Sequence, residues 1–422
     1  MSALIVAILT YAVILAPKPV RQNPQLKAVL ILCLSLHHLA AYYNCNIATL
    51  PGADGDAELF YEAASAEIRT YRYNRLFYTQ FLTAVFSLVG PSKLLGCELS
   101  ILAYSLSCVL IIEILKLTNH LEQAPKTLLL YGILPSPITH FSVTLREAYE
   151  ALALLAIVAG TLHLRRRFSL TWLSAILGGL ACLMVIHKSL KLLVLGLALL
   201  ALFSLTQKLG RNLAFMLALL ATAAVMGGPG SFFLDESDVA DQIENIHEYR
   251  TGVINAGGRA FYGGQVSTDS LVGFIGSAPR IFLLYMTSPM PWQFGSVLDV
   301  YTFLENSLRL ILIVATVLYW KNARDSEERQ QIFFALSAFL LTEAVWSLGT
   351  GNWGTALRHH VVALPLIITL GVPAIFNRNR DPEKDEAAPA PTKARRKRQK
   401  SSSPRAKIRE RRRRQRELDS DH

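Results

Sequence analysis

The strongest constraint on this chain is a series of apolar segments, each close to the length that a helix needs to cross a bilayer. Of 422 residues, 52% are hydrophobic and only 17% are charged, whereas about 25% charged residues is usual in soluble proteins. A hydrocarbon core offers backbone amides no water, so spanning segments there must be helices. The sequence therefore predicts an all-α, polytopic membrane helical bundle of about 10–12 spans. Candidate spans lie near 3–16, 28–44, 94–117, 127–143, 148–164, 169–187, 190–205, 212–228, 302–320, 331–349 and 361–376.

The positive charge of the chain is concentrated at its C-terminal end. The formal net charge is +11, and the segment from Arg378 onward holds 17 lysines and arginines against 8 acidic residues, which leaves only +2 for the preceding body. This distribution predicts a multi-spanning domain over 1–376, with outer loops at 45–93 and 229–300, followed by a disordered basic tail over 377–422. We expect the tail to contact anionic phospholipid, and we expect no nucleic-acid partner.

The short basic loops predict the orientation of the bundle, because lysine and arginine accumulate on the cytoplasmic side. All these loops lie on one side if the stretch 75–90 lies along or dips into the outer interface rather than crossing. That arrangement places the C-terminus in the cytoplasm. The run 3–16 is short for a span, so whether it crosses stays open. The basic loops are Lys18/Arg21/Lys27, Lys116/Lys126, Arg165 to Arg167, Lys208/Arg211 and Lys321/Arg324/Arg329.

An acidic patch, Asp54-Gly55-Asp56, directly follows an apolar segment and precedes a helix-forming stretch that contains Tyr61. Carboxylates at a membrane boundary are costly and often functional. The plain interpretation is that the two aspartates cap an interfacial helix. The functional one is that either serves as a general base, or that both hold a divalent cation such as Mg²⁺ or Mn²⁺.

Cationic groups that the orientation places outside form a second set of candidates. Pro135 interrupts a predicted span, and Arg146-Glu147 opens the next helix. A guanidinium there suits a phosphate ligand, although Glu147, Glu150 or a lipid headgroup are alternative partners. The other candidate phosphate-binding residues are Lys188, Arg280, Arg358, His359 and His360.

The five cysteines show no CxxC or Cys/His cluster, so thiolate metal ligation has no support. Cys33, Cys108 and Cys182 lie within apolar runs and are expected to be buried. Cys45 and Cys97 could both face the outer compartment, where a disulfide is permissible.

Together these residues resemble the GT-C class of polyprenyl-lipid-dependent glycosyltransferases and bacterial exopolysaccharide and O-antigen assembly proteins. Asp54, Asp56 and Tyr61 are similar to the acidic first outer loop of that class. The broken helix from Pro135 to Glu147, the stretch Pro279-Arg280, and Asn352 to His359 resemble further parts of such proteins. The resemblance implies an inverting transferase in the bacterial inner membrane that uses a polyprenyl-phosphate-linked sugar at the outer face, in cell-envelope polysaccharide or glycoconjugate synthesis.

Two other functions stay open at this point. A polysaccharide polymerase of the O-antigen type would use the same cationic residues. A lipid-linked glycan transporter or flippase would need polar groups near mid-bilayer and often has an internal repeat. Glu98, Glu113 and Glu343 are the mid-span charges that the sequence analysis identifies, and no repeat is evident.

Overall fold

A computed structural model describes residues 1–50, 55–65, 76–187, 190–209, 260–261 and 271–377. Within these ranges the chain is helical, and its only β pairing is an isolated bridge between Phe261 and Asn352. The prediction of an all-α polytopic bundle is confirmed. The predicted span 212–228 and the basic tail lie outside the described residues.

The described helices, in chain order, are α1 (Ser2–Leu15), α2 (Lys18–Gln22), α3 (Pro24–Asn46), α4 (Asp56–Ala64), α5 (Phe77–Val89), α6 (Lys93–Leu117), α7 (Ala124–Ile133), α8 (Pro135–Phe141), α9 (Glu147–Arg166), α10 (Leu170–Ile186), α11 (Lys191–Leu209), α12 (Leu271–Thr287), α13 (Val297–Asn322), α14 (Ser326–Leu348) and α15 (Trp353–Asn377).

Six of the described helices are long and apolar enough to cross a membrane, namely α3, α6, α9, α13, α14 and α15. Four shorter apolar helices accompany them, so the count of about 10–12 spans stays a prediction. Helix α5 has 13 residues, which at about 1.5 Å per residue is shorter than the hydrocarbon core. Its length agrees with a segment that dips into the interface.

The predicted span 127–143 is not one helix. It is divided into α7 and α8 at Leu134-Pro135, because proline cannot donate the amide bond that would continue α7. Glu305 on α13 accepts hydrogen bonds from the start of α8. The Ser136 amide and hydroxyl donate to its two carboxylate oxygens, at 3.1 and 2.6 Å. A buried carboxylate thus supplies the acceptors at a depth where water is scarce.

At one end of the bundle, Arg165 and Arg166 contact the ends of neighbouring helices. Arg165 at the end of α9 donates to the Ser204 carbonyl on α11 at 2.8 Å and lies 3.4 Å from Glu327 on α14. Arg166 donates to the Leu117 carbonyl at the end of α6. The contacts bring the ends of α6, α9, α11 and α14 together.

The opposite end holds the starts of α4, α6, α9, α13 and α15. Close packing between helices fixes their positions, most visibly between α9 and α10. A Cβ on Gly179 of α10 would lie 2.8 Å from the Ala153 carbonyl oxygen of α9. Small residues at such contacts let two helix backbones approach closely in a membrane.

Candidate functional site

Helix α4 holds Asp56, the described aspartate of the acidic patch, at the end of the bundle where α15 begins. It begins at Asp56 after Gly55, whose φ of 73° is a left-handed conformation that glycine adopts without a Cβ penalty. Phe60, one turn further, is buried and packs edge-on against Tyr78 of α5, with ring centroids 5.0 Å apart. This packing fixes the helix from which the Asp56 side chain projects. Asp54 lies outside the described residues.

The Asp56 carboxylate contacts a guanidinium that lies 302 residues away in sequence. Arg358, in the first turns of α15, donates from Nη1 to Asp56 at 2.6 Å and from Nε to Glu147 at 2.5 Å. Glu147 is buried at 1% exposure, Arg358 at 16%, and Asp56 is more open at 36%. The early outer loop, the start of α9 and the start of α15 therefore meet at one arginine.

Arg358 retains one nitrogen for a ligand. Its Nη2 atom is buried and has no hydrogen-bond partner among the described residues. A buried guanidinium nitrogen without an acceptor is costly. Two carboxylates orient the side chain, and the remaining N–H groups suit the oxygens of an anion.

The Arg358 side chain borders a cavity of about 470 Å³. Its other walls come from the broken helix α8, from the start of α13 and from the turn before α15. His140 on α8 is one of the lining residues. The polar lining residues are Thr139, His140, Asp299, Tyr301, Thr302, Asn352, Thr355 and Arg358.

A second cavity, of about 360 Å³, lies against α4. Glu58 and Tyr61 of α4 line it, and Glu58 pairs with Lys93 at 2.5 Å. Positions 56 and 60 share one side of the helix, whereas positions 58 and 61 point away from it. Helix α4 thus separates an Arg358 side from a Glu58 side.

Arg146 lies beside this site without joining the Arg358 contact. Its Nε is 3.7 Å from Glu150, and its guanidinium sits 5.8 Å above the Phe60 ring. His187 approaches the same carboxylate at 3.5 Å. The partner within the chain that the sequence analysis left open for Arg146 is therefore Glu150. Its predicted phosphate contact stays a prediction.

The two histidines after Arg358 have different surroundings. His359 Nδ1 forms a hydrogen bond with the Thr350 hydroxyl at 2.7 Å, and its ring stacks on Trp346 with centroids 3.9 Å apart. His360 is buried, with Nδ1 2.5 Å from Glu343 and Nε2 near the Tyr285 carbonyl. Burial against Glu343 fits a structural role for His360 better than the predicted phosphate contact.

Arg280 does not join the Arg358 contact. It is exposed on α12, and within the described part of the chain it forms no ion pair with Asp56 or Glu147. Lys188 and Asp54, one of the two residues of the predicted metal pair, lie outside the described residues. Among the residues that the structure covers, no cluster of three or more acidic, histidine or cysteine side chains is arranged to hold a metal ion.

Sequence reasoning missed several buried charges. Asp299, Glu305 and Arg309 are all at most 5% exposed and lie in α13, a helix that could cross a membrane. Asp299 accepts from the Trp353 indole at 2.8 Å and so ties α13 to the turn before Arg358. A charge inside an apolar segment is itself the signal that would have found them.

Comparison of the chain with protein-family models, with curated proteins and with solved structures found no match.

Proposed function

We propose that this chain is a membrane glycosyltransferase of the GT-C kind, which transfers a sugar from a polyprenyl-phosphate donor at the outer face of a bacterial inner membrane. The observation that carries the proposal is the junction at Arg358. It joins a carboxylate from the first outer loop to a cationic group that borders a cavity next to a broken helix. Such a junction offers a base and a phosphate-binding group side by side.

In the proposed reaction Asp56 removes the proton from an acceptor hydroxyl as its oxygen attacks the anomeric carbon. The bond from that carbon to the donor phosphate oxygen breaks, and the oxygen leaves with the bonding electron pair. Arg358 stabilises the charge that develops on the leaving phosphate. Glu147, buried and bonded to Nε, holds the guanidinium in position. Configuration at the sugar is inverted because a single displacement occurs.

The pairing of Asp56 with Arg358 has a consequence for the order of events. A carboxylate bonded to a guanidinium is a weak base, because its anionic form is stabilised. An incoming phosphate accepts from Nη2 of Arg358 and competes with Asp56 for Nη1. By displacing Asp56, the phosphate restores the basicity of the Asp56 carboxylate. Donor binding thus prepares the base, and the 36% exposure of Asp56 leaves it room to move.

The two cavities fit the two substrates. The cavity at Arg358 is the larger and the more apolar, which suits the phosphate and first isoprene units of the donor. The cavity at Glu58 and Lys93 is polar, which suits the hydroxyls of an acceptor. Asp56 contacts Arg358, which borders the larger cavity, and its neighbours Gly55 and Ala57 line the smaller one. The proposal assigns no metal ion to the step.

The orientation follows from the charge at the other end of the bundle. Arg165, Arg166 and the loop before α14 lie opposite Arg358 along the helix axes. The positive-inside rule assigns that end to the cytoplasm, so the Arg358 junction faces outward. Phe376, near the end of α15, lies at the basic end, where its ring contacts Lys126. A cytoplasmic C-terminus follows from the same rule.

A transfer assay tests the proposal. Purified protein in nanodiscs is given labelled polyprenyl-phosphate sugars and candidate glycan acceptors. We expect Asp56→Asn to lower transfer by about 10² or more, whereas Glu62→Gln, on the same helix, leaves it unchanged. Retention of full transfer by Asp56→Asn would end the assignment of the base.

A polymerase is distinguished by its product, because repeated addition to an undecaprenyl-pyrophosphate glycan yields a ladder of lengths.

A transporter gains some support from Arg309, which is fully buried in α13. Its Nε and Nη2 atoms have no hydrogen-bond partners among the described residues. Intramembrane charges of this kind often mark a translocation path. Flux of labelled glycolipid across proteoliposomes without formation of a new glycosidic bond would favour that function.

A further inference from the structure

The outer end of the bundle carries a pair of cysteines that the proposed reaction does not use. Cys45 lies in the last turn of α3, and Cys97 lies in the second turn of α6. Their Sγ atoms are 3.6 Å apart, although 52 residues separate them in sequence. A modest change of side-chain rotamer brings two sulfurs from this distance to the bonded separation of about 2.05 Å.

The surroundings of the pair give an oxidant access to it. Cys45 is partly exposed and lines the 360 Å³ cavity together with Cys97. Cys97 is buried, with Thr144 on its far side at 3.9 Å. An oxidant therefore meets Cys45 first and forms a mixed disulfide with it. Cys97 is positioned to attack that mixed disulfide and complete the bond.

The location of the pair says what a bond would hold. Residues 47–92 form the loop between α3 and α6, and this loop carries α4 with Asp56. One turn before Cys97, Lys93 already links α6 to Glu58 of α4 at 2.5 Å. Both ion-pair partners are about half exposed, so this link is screened by solvent. A covalent bond between Cys45 and Cys97 would instead join α3 to α6, on either side of this segment, independently of salt.

We propose that Cys45 and Cys97 form a disulfide at the outer face, which fixes the two ends of the loop that carries the catalytic helix. Each thiol loses one proton and one electron as the S–S bond forms. The acceptor is a disulfide-bearing oxidant, protein or small molecule, which thiol–disulfide exchange reduces to two thiols. The bond fits an oxidising outer compartment, and the proposal rests on the outward orientation but not on sugar transfer.

Thiol counting tests the proposal. Cells are quenched with an alkylating reagent in SDS, and the labels on the purified chain are counted by mass before and after reduction. The chain has five cysteines. With one disulfide we expect three labels before reduction and five after it, and a Cys45–Cys97 cross-linked peptide in the digest. Cys45→Ser should take four labels in both states. Cys182→Ser, the matched control, should take two labels before reduction and four after it.

A second arm separates geometry from compartment. Purified, reduced protein in nanodiscs is exposed to oxidised glutathione before counting. Five labels after this treatment would overturn the pairing itself, as would a cross-link that joins other cysteines. Bond formation only in the purified protein would overturn the outward placement of the pair in cells. A bond in both arms supports the proposal even if the transfer assay is negative.

Discussion

The buried contact between Arg358 and Glu147 permits a quantitative prediction. Arg358→Gln removes the positive charge but leaves the Glu147 carboxylate, which is 1% exposed, without its partner. Breaking a buried ion pair from one side costs about 3–5 kcal/mol. Because the Arg358 side chain is 16% exposed, we expect a loss near the lower limit, about 3 kcal/mol of unfolding free energy.

The same structure predicts partial recovery in a double variant. Adding Glu147→Gln to Arg358→Gln removes the stranded carboxylate, so the pair of glutamines should be more stable than Arg358→Gln alone by about 1–2 kcal/mol. Asp56→Asn serves as the matched comparison. At 36% exposure its contact with Arg358 is screened by solvent, and its loss should cost less than about 1 kcal/mol.

The assay is reversible unfolding of the purified protein from mild detergent into SDS, followed by tryptophan fluorescence. Four proteins complete the cycle: the parent, the two single variants at positions 147 and 358, and the double variant. Additive losses, or a stable Arg358→Gln variant, would refute the reasoning that Glu147 depends on this guanidinium.

Two further predictions concern packing and topology. Gly179→Ala should destabilise the bundle by about 1–3 kcal/mol through overpacking, whereas Gly178→Ala, where nothing lies within 4 Å, should be neutral or stabilising by up to about 1 kcal/mol; the SDS titration measures both. In a cysteine-free background, an impermeant thiol reagent applied to intact cells should label Trp292→Cys but not Arg167→Cys, and the reverse pattern would invert the orientation.

The helical framework was predictable because apolar length is a local property. Segments such as 94–117 agree with the observed helices to within a residue or two, and Pro135 marks the break where proline must stop a helix. The division of the predicted span 127–143 into α7 and α8 follows from this proline. Short apolar helices were harder, since length alone does not decide whether a segment such as α10 crosses.

The candidate site was predictable only in part. Asp56, Glu147 and Arg358 stood out as charges at predicted helix ends, and the structure brings these three together. Their pairing depends on contacts across more than 200 residues, which no local pattern encodes. Arg280 carries an equally suitable side chain but lies exposed elsewhere on the bundle. Residue type alone could not distinguish it from Arg358.

Other charges were missed for a different reason. Glu305 and Arg309 lie within the predicted span 302–320, where the apolar average conceals single charged positions. Glu305 proves to be the acceptor for the Ser136 amide at the helix break. Its role could be recognised only once α8 and α13 were seen side by side, because a broken helix does not indicate which neighbour satisfies it.

The most direct test of the central claim is phosphate-lipid binding at Arg358. Native mass spectrometry of the protein with a short polyprenyl phosphate compares the parent with Arg358→Gln and with Arg167→Gln, an exposed arginine at the opposite end. A lost charge-assisted hydrogen bond is worth about 1.5–3 kcal/mol, so we expect at least about tenfold weaker binding for Arg358→Gln and parental binding for Arg167→Gln. Equal binding by all three proteins would contradict the claim that Arg358 holds the donor phosphate.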